Sequence, residues 1–199
     1  MKIYNSSSLL FILLLSMTGV DQAIGQAETF SVESVEVLVT GGSTLHDWQA
    51  TCSEVIEYPA TLSLDLQEGG VIEDFTFKVG VHSMDGGRGA TMNKKILKAL
   101  KAETHPYIQF MQNNPSTYPG FGDGGSSAFS VVGMVSVAGV NKEITVDVTA
   151  TLDGDILTMS GEQAMQLSEY DIEPPTAMFG QIKTKNDISV IFEFKYKKQ

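Results

Sequence analysis

With one cysteine in 199 residues, the chain cannot close an internal disulfide, so its fold must stand on an apolar core. That cysteine, Cys52, reads as a small buried apolar residue, with intermolecular pairing as the other use open to it. Histidine is almost as scarce: the three are His46, His82 and His105, each in a different stretch. No Cys/His cluster and no histidine pair at helical spacing occurs, so the pattern of a metal site is missing and none is expected. Basic residues are outnumbered, 13 against 24 acidic ones, for a formal net charge of -11. That sign argues against a nucleic-acid partner and against unassisted docking on an anionic membrane. Long apolar runs are limited to Leu9 to Leu15, too short for a span of about 20 residues. No integral membrane span is therefore expected.

That run has a different reading. Lys2 precedes it, and small and polar residues follow it around Ala23-Ile24-Gly25-Gln26-Ala27. Charge, short apolar core and small-residue cut site, in that order, are the plan of a secretory signal peptide. Residues 1–25 are expected to be removed and residues 26–199 to form the mature protein, periplasmic or secreted. No cysteine directly follows the apolar core, so a lipid anchor is not expected. Cleavage removes one lysine (Lys2) and one aspartate (Asp21) and leaves the charge balance unchanged. The remainder is enough for one domain with a substantial core.

Alternation of apolar and polar residues runs through this remainder, the mark of half-buried strands. Leu62, Leu64 and Leu66 alternate with Thr61, Ser63 and Asp65. Ile144, Val146, Val148, Ala150 and Leu152 repeat the pattern, as do Ile188, Val190, Phe192, Phe194 and Tyr196. Further strands are expected over 29–39, 44–51, 71–81, 107–112, 128–137 and 156–165. Glu68-Gly69-Gly70, Ala138-Gly139-Val140-Asn141 and Asp153-Gly154-Asp155 supply residues suited to hairpin turns.

One stretch breaks the period of two. Met92, Ile96, Leu97 and Leu100 fall at helical spacing with lysines between them, which predicts a helix over 91–102. His105-Pro106 ends it, since a residue before proline avoids the α region. Residues 113–127, rich in Gly, Pro, Ser and Asn, read as an exposed loop. The expected fold is all-β: an antiparallel barrel of about eight strands with one short amphipathic helix covering an opening.

Several segments resemble the YceI-like family. Met92-Asn93-Lys94-Lys95-Ile96-Leu97-Lys98-Ala99-Leu100-Lys101, then Thr104-His105-Pro106-Tyr107-Ile108-Gln109-Phe110, is similar to its helix-then-strand signature. The resemblance continues through Val132-Gly133-Met134-Val135 to Ile144 and through Leu167-Ser168-Glu169-Tyr170-Asp171-Ile172. At Ser43-Thr44-Leu45-His46-Asp47-Trp48 the chain departs from the more familiar members, which have a longer strand and a Gly-rich turn there. The resemblance implies a lipocalin-like barrel, often periplasmic, with an elongated cavity for a polyisoprenoid or another long-chain amphiphile.

The candidate ligand-binding residues follow. His46, Asp47 and Trp48 form a possible polar lip, the indole packing on a ligand and the imidazole donating a hydrogen bond; the alternative is that Trp48 fills the core. Arg88, Lys94, Lys95, Lys98 and Lys101 place five of the thirteen basic residues in one segment, a local reversal of field suited to an anionic headgroup or an acidic partner. Solvated surface is the plainer reading of those lysines. Gly86-Gly87-Arg88-Gly89 lacks the ending of a phosphate loop and reads as a turn into the helix. Phe75, Phe77, Phe110, Phe129, Phe192 and Phe194 sit on apolar strand faces, with Leu97 on the helix, and Met111, Met134 and Met165 are further candidates for a cavity lining. Such faces pack solid or surround a tube, and the resemblance favours the tube.

The expected function is binding: an exported protein that sequesters or carries a long-chain isoprenoid or similar apolar lipid, with no cofactor and no catalytic residue. A homodimer is left open. The alternative is a non-catalytic, stress-related interaction module that docks an acidic partner through the basic helix. A hydrolase ranks third, because no Ser, His and Asp stand in a catalytic motif.

Overall fold

The computed structural model describes residues 27–122 and 125–199. The expected signal segment lies outside them. The chain opens with β1 (Glu28–Ser43), then β2 (Asp47–Cys52), β3 (Val55–Glu57), β4 (Thr61–Leu64), β5 (Gly69–Ile72) and β6 (Thr76–Gly80). A 3₁₀ turn (Val81–Ser83) leads to the two-residue β7 (Met84–Asp85) and to α1 (Ala90–Ala99). There follow β8 (Tyr107–Gln112), β9 (Ser116–Pro119), β10 (Ser126–Val137), β11 (Val140–Asp153) and β12 (Ile156–Gln166). A 3₁₀ turn (Leu167–Tyr170), β13 (Thr176–Ala177), a turn at Met178–Gly180 and β14 (Ile182–Lys198) complete it. The class is as expected, an all-β antiparallel barrel with one helix. The strand count is larger than eight because short strands cap its ends.

The main sheet runs β3-β6-β8-β10-β11-β12-β14-β1-β2-β7, and the last strand, β14, lies between β12 and the first strand, β1. Its two margins meet. β2 and β3 are halves of one segment interrupted only at Ser53-Glu54, while β6 and β7 are joined by the Val81–Ser83 turn. Ser83 fastens this seam: its Oγ donates to the Gly80 carbonyl (2.8 Å) and accepts from the Glu54 N–H (3.0 Å). Cys52, buried and unpaired, lies against the same hydroxyl, Sγ to Oγ 3.0 Å.

Register explains which residues face inward. In β1 the inward series Phe30, Val32 changes parity to Val35, Val37, Val39, because Glu33 is an extra residue between the pairs Val32↔Tyr196 and Ser34↔Lys195. A bulge of this kind realigns side chains that would otherwise turn outward. The hairpin β10–β11 turns on Ala138-Gly139, both at positive φ (50° and 89°), as a tight two-residue connection requires.

Three local expectations fail. The Glu68-Gly69-Gly70 turn exists, with the Asp65 carboxylate accepting from the N–H groups of Gln67 and Glu68, but it joins no hairpin: β4 pairs with β1, and β5 with β9. The strand expected over 71–81 is two strands, broken where Asp74 takes φ 55°. Residues 113–127 are not a plain exposed loop. They contain β9, whose Tyr118 is buried at 5% exposure, and buried Phe121 follows. The polar composition hid two aromatic anchors that plug the barrel base.

That base is solid. Phe30, Leu157 and Tyr196 are fully buried and pack with Leu62, Leu64, Tyr118 and Phe121. Burial pushes the Tyr196 phenol well above its ordinary value, and its hydroxyl has no hydrogen-bond partner among the described residues. An unmet buried hydroxyl costs free energy. Tyr196→Phe should therefore stabilise the protein by about 1 kcal/mol, measured as a raised midpoint in urea unfolding.

Candidate ligand-binding site

Above the packed base the barrel is hollow. The same inward rows that are fully buried lower down become only half-buried at Ile144, Val146, Ile188, Val190 and Phe192, because they face a cavity of about 380 Å³ instead of other side chains. Its lining is overwhelmingly apolar and comes from β1, β2, β6, β8, β10, β11, β12, β14 and the inner face of α1.

Glycines keep it open. Gly41, Gly133 and Gly161 each stand in an inward row of a long strand, and each is covered by a ring from a neighbouring strand. A Cβ on Gly41 would lie 2.4 Å from the Trp48 ring, one on Gly133 2.4 Å from Phe110, and one on Gly161 2.4 Å from Phe192. Three large aromatics thus lie flat along the wall, not across the lumen. Gly133 and Gly161 carry a signal in the sequence, since an isolated glycine inside an alternating strand marks close approach.

The mouth lies at the end bearing the β1–β2 turn, α1 and the segment before β14. Ser43 shapes the turn by accepting from the N–H groups of Leu45 (3.2 Å) and His46 (3.1 Å), so 43–46 is a turn and the expected strand begins only at Asp47. Trp48 is half-buried, and its Nε1–H donates to the Gly42 carbonyl at 3.1 Å. His46 Nδ1 lies 3.0 Å from the Asp47 carbonyl. A carbonyl only accepts, so Nδ1 is the donor of that hydrogen bond.

The helix starts at Gly89, which takes φ 78°, and Asn93 Oδ1 accepts from the Gly86 N–H at 3.0 Å. The glycine run is thus a turn into the helix. Asp85 accepts from the Gly87 N–H and the Asn93 side chain, which hold its carboxyl below the usual range. The inward face of α1 carries Met92, Lys95, Ile96 and Ala99, and Leu100 just past its end joins them.

His46, Trp48, Phe75, Phe77, Arg88, Phe110 and Phe192 therefore all stand on the cavity wall or mouth. Lys94 and Leu97 do not: Lys94 is exposed, and the turn of the helix that brings Ile96 inward carries Leu97 past the lumen. Lys95, the other candidate lysine beside it, is in the lining, and its Nζ donates to the Thr176 carbonyl at 2.9 Å, tying the helix to β13 across the rim. Met165 lines the cavity, whereas Met111 is 51% exposed and Met134, its cross-strand partner, lies outside the lining. Among the described residues no group of three or more His, Cys, Asp and Glu is placed to hold a metal, and no helix is long and apolar enough to cross a membrane.

An antiparallel barrel packed at one end, hollow and greasy above, and rimmed by polar groups belongs to the broad class of lipocalin-like barrels. More narrowly, this chain belongs to the YceI-like family: the YceI-like domain matches residues 20–196. It is similar in structure to a polyisoprenoid binding domain from Saccharophagus degradans implicated in plant cell wall breakdown, with TM-score 0.59 and 11% identity over 87% of this chain and 99% of that one. BcnA of Burkholderia cenocepacia aligns at TM-score 0.52 and 16% identity, over 81% and 95% of the two chains. A Campylobacter jejuni YceI protein aligns at TM-score 0.50 and 13% identity, over 75% and 84%. At these identities the likeness establishes the fold. No functionally curated protein matches the sequence.

Proposed function

We propose that this protein binds the apolar chain of an amphiphile, a lipid or isoprenoid, inside its barrel and sequesters or carries it without covalent chemistry. The observation that carries this reading is the hollow of about 380 Å³ walled by half-buried apolar side chains. Each methylene moved from water into such a lining contributes about 0.8 kcal/mol, so a chain of ten or so carbons supplies ample affinity. The polar end of the ligand is placed at the mouth, beside His46, Trp48 and Arg88. Family membership supports the reading, as does the likeness in fold to the polyisoprenoid binding domain from Saccharophagus degradans. The signal-like start supports a periplasmic or secreted setting. Native mass spectrometry with organic extraction of protein purified from its own compartment is the test. One lipid per protein copy is expected; empty protein that also fails to take up an apolar dye would sink the reading.

A further inference from the structure

We propose that the rim of the barrel mouth is a membrane-docking surface: Leu45, Met178 and Phe179 insert into the headgroup region of a bilayer, and neighbouring cations steer that rim to anionic phospholipid. Docking itself does not require the proposed ligand. Only its use, passing an amphiphile between bilayer and lumen without a passage through water, rests on that reading.

At 66%, 64% and 109% exposure, Leu45, Met178 and Phe179 are the three most exposed large apolar side chains among the described residues. A single exposed apolar residue is ordinary on a protein surface, but these three share one rim. Leu45 is in the β1–β2 turn, and the other two are in the turn that leads into β14. Thr44 binds the two turns together. Its N–H donates to the Lys183 carbonyl (2.9 Å), while its Oγ1 donates to the Gln181 carbonyl (3.3 Å) and accepts from the Lys183 N–H (3.2 Å). The backbone at the tip is strained: Met178 and Phe179 both take left-handed φ, 51° and 55°, which side chains of their size rarely adopt. Strain held at an exposed tip points to a use for the tip.

Charge selects the occupant. Lys183 and Lys185 are exposed on β14 beside these turns, and Arg88, Lys94 and Lys98 are exposed just before and along the helix that Lys95 ties to Thr176. Among the described residues none of these five cations is in an ion pair. Of the acids on the adjoining segments, Asp85 and Asp187 already accept hydrogen bonds from Asn93 and Gln166, which leaves Asp47, Asp171 and Glu173. The net charge of -11 is spread over the whole molecule, and physiological salt screens charges farther than about 8 Å away, so the rim acts with its own sign. An apolar tip set among cations is the pattern of an interfacial membrane anchor. A second copy fits less well, since its rim would bring the same sign of charge to the contact.

The experiment is flotation of the mature chain, residues 26–199, with vesicles of phosphatidylcholine alone and of phosphatidylcholine mixed with phosphatidylglycerol. Binding to the mixed vesicles is expected, at least tenfold tighter than to the neutral ones and weakened by added salt. Phe179→Ala should weaken it about tenfold, and Lys183→Gln with Lys185→Gln about twentyfold. Val71→Ala, which trims an apolar side chain exposed elsewhere, on β5, should leave it unchanged. All four side chains are exposed, so unfolding midpoints should match the wild type. No flotation with either vesicle, or flotation that Phe179→Ala does not weaken, overturns the proposal. So does a wild-type dimer that Phe179→Ala turns into a monomer in sedimentation velocity, which would make the rim a contact between copies. Uptake of an apolar dye, measured without vesicles, reports on the lumen alone, so docking and ligand binding fail separately.

Discussion

Val146→Phe should weaken binding of a lumen-filling tail by about a hundredfold while leaving the empty protein as stable as before. Val146 faces the cavity from β11, opposite Val131 on β10. The ring adds about four carbons to the wall, displacing three or four ligand methylenes worth about 0.8 kcal/mol each. Their sum, about 3 kcal/mol, is two decades of affinity. In a solid core the same substitution would overpack and cost about 1–3 kcal/mol of stability. The pair of measurements thus separates a hollow barrel from a full one: thermal unfolding of the ligand-free protein, and dye titration at fixed temperature. Lost stability with unchanged dye binding would mean that Val146 does not border usable space.

Phe30→Ala should cost the fold about 3–5 kcal/mol, a large share of the 5–15 kcal/mol that holds a domain of this kind together. Phe30 has no exposed surface and packs in the cluster with Leu62, Tyr118 and Tyr196. It also stands where β1 pairs with β4 on one side and with β14 on the other, opposite Leu62 and Lys198. Losing the ring loosens three strands and the plug beneath the cavity together. Urea unfolding should show a much lower midpoint with an unchanged slope. A shift below 1 kcal/mol would show that the base collapses around the loss.

Period-two rows such as Ile144 to Leu152 and Ile188 to Tyr196 declared themselves in the residues because each strand has one face against apolar surroundings. The same rows could not say where the barrel stops being solid. Ile188 and Tyr196 read alike, yet one faces a cavity and the other a packed base, and that difference is made by Tyr118 and Phe121 arriving from a stretch with no period at all. The bulge at Glu33 is likewise invisible until β14 fixes the register. Within the site, the aromatic wall residues followed from alternation. On the helix, Lys95 and Ile96 reach the lining and Lys94 and Leu97 do not, since a shift of one residue turns a side chain by about 100° around the axis. Gly133 and Gly161 were legible in principle, being inward by parity and isolated, whereas Gly41 stands in the pair Gly41-Gly42.

The place of β14 between β12 and β1 also governs how the barrel comes into being. β1, the first strand of the described chain, makes its longest pairing with the last, Phe30 opposite Lys198 and Gly41 opposite Ile188. Closing a loop of nearly the whole domain must precede that pairing, and such non-local contacts slow folding. Until residues 182–198 arrive, β1 and β12 each present an unpaired margin of backbone donors and acceptors, the kind of edge that recruits strands from other chains. The C-terminal strand is therefore the barrel's clasp: a nascent chain waits for it, and a chain truncated before it is exposed to aggregation along two edges at once.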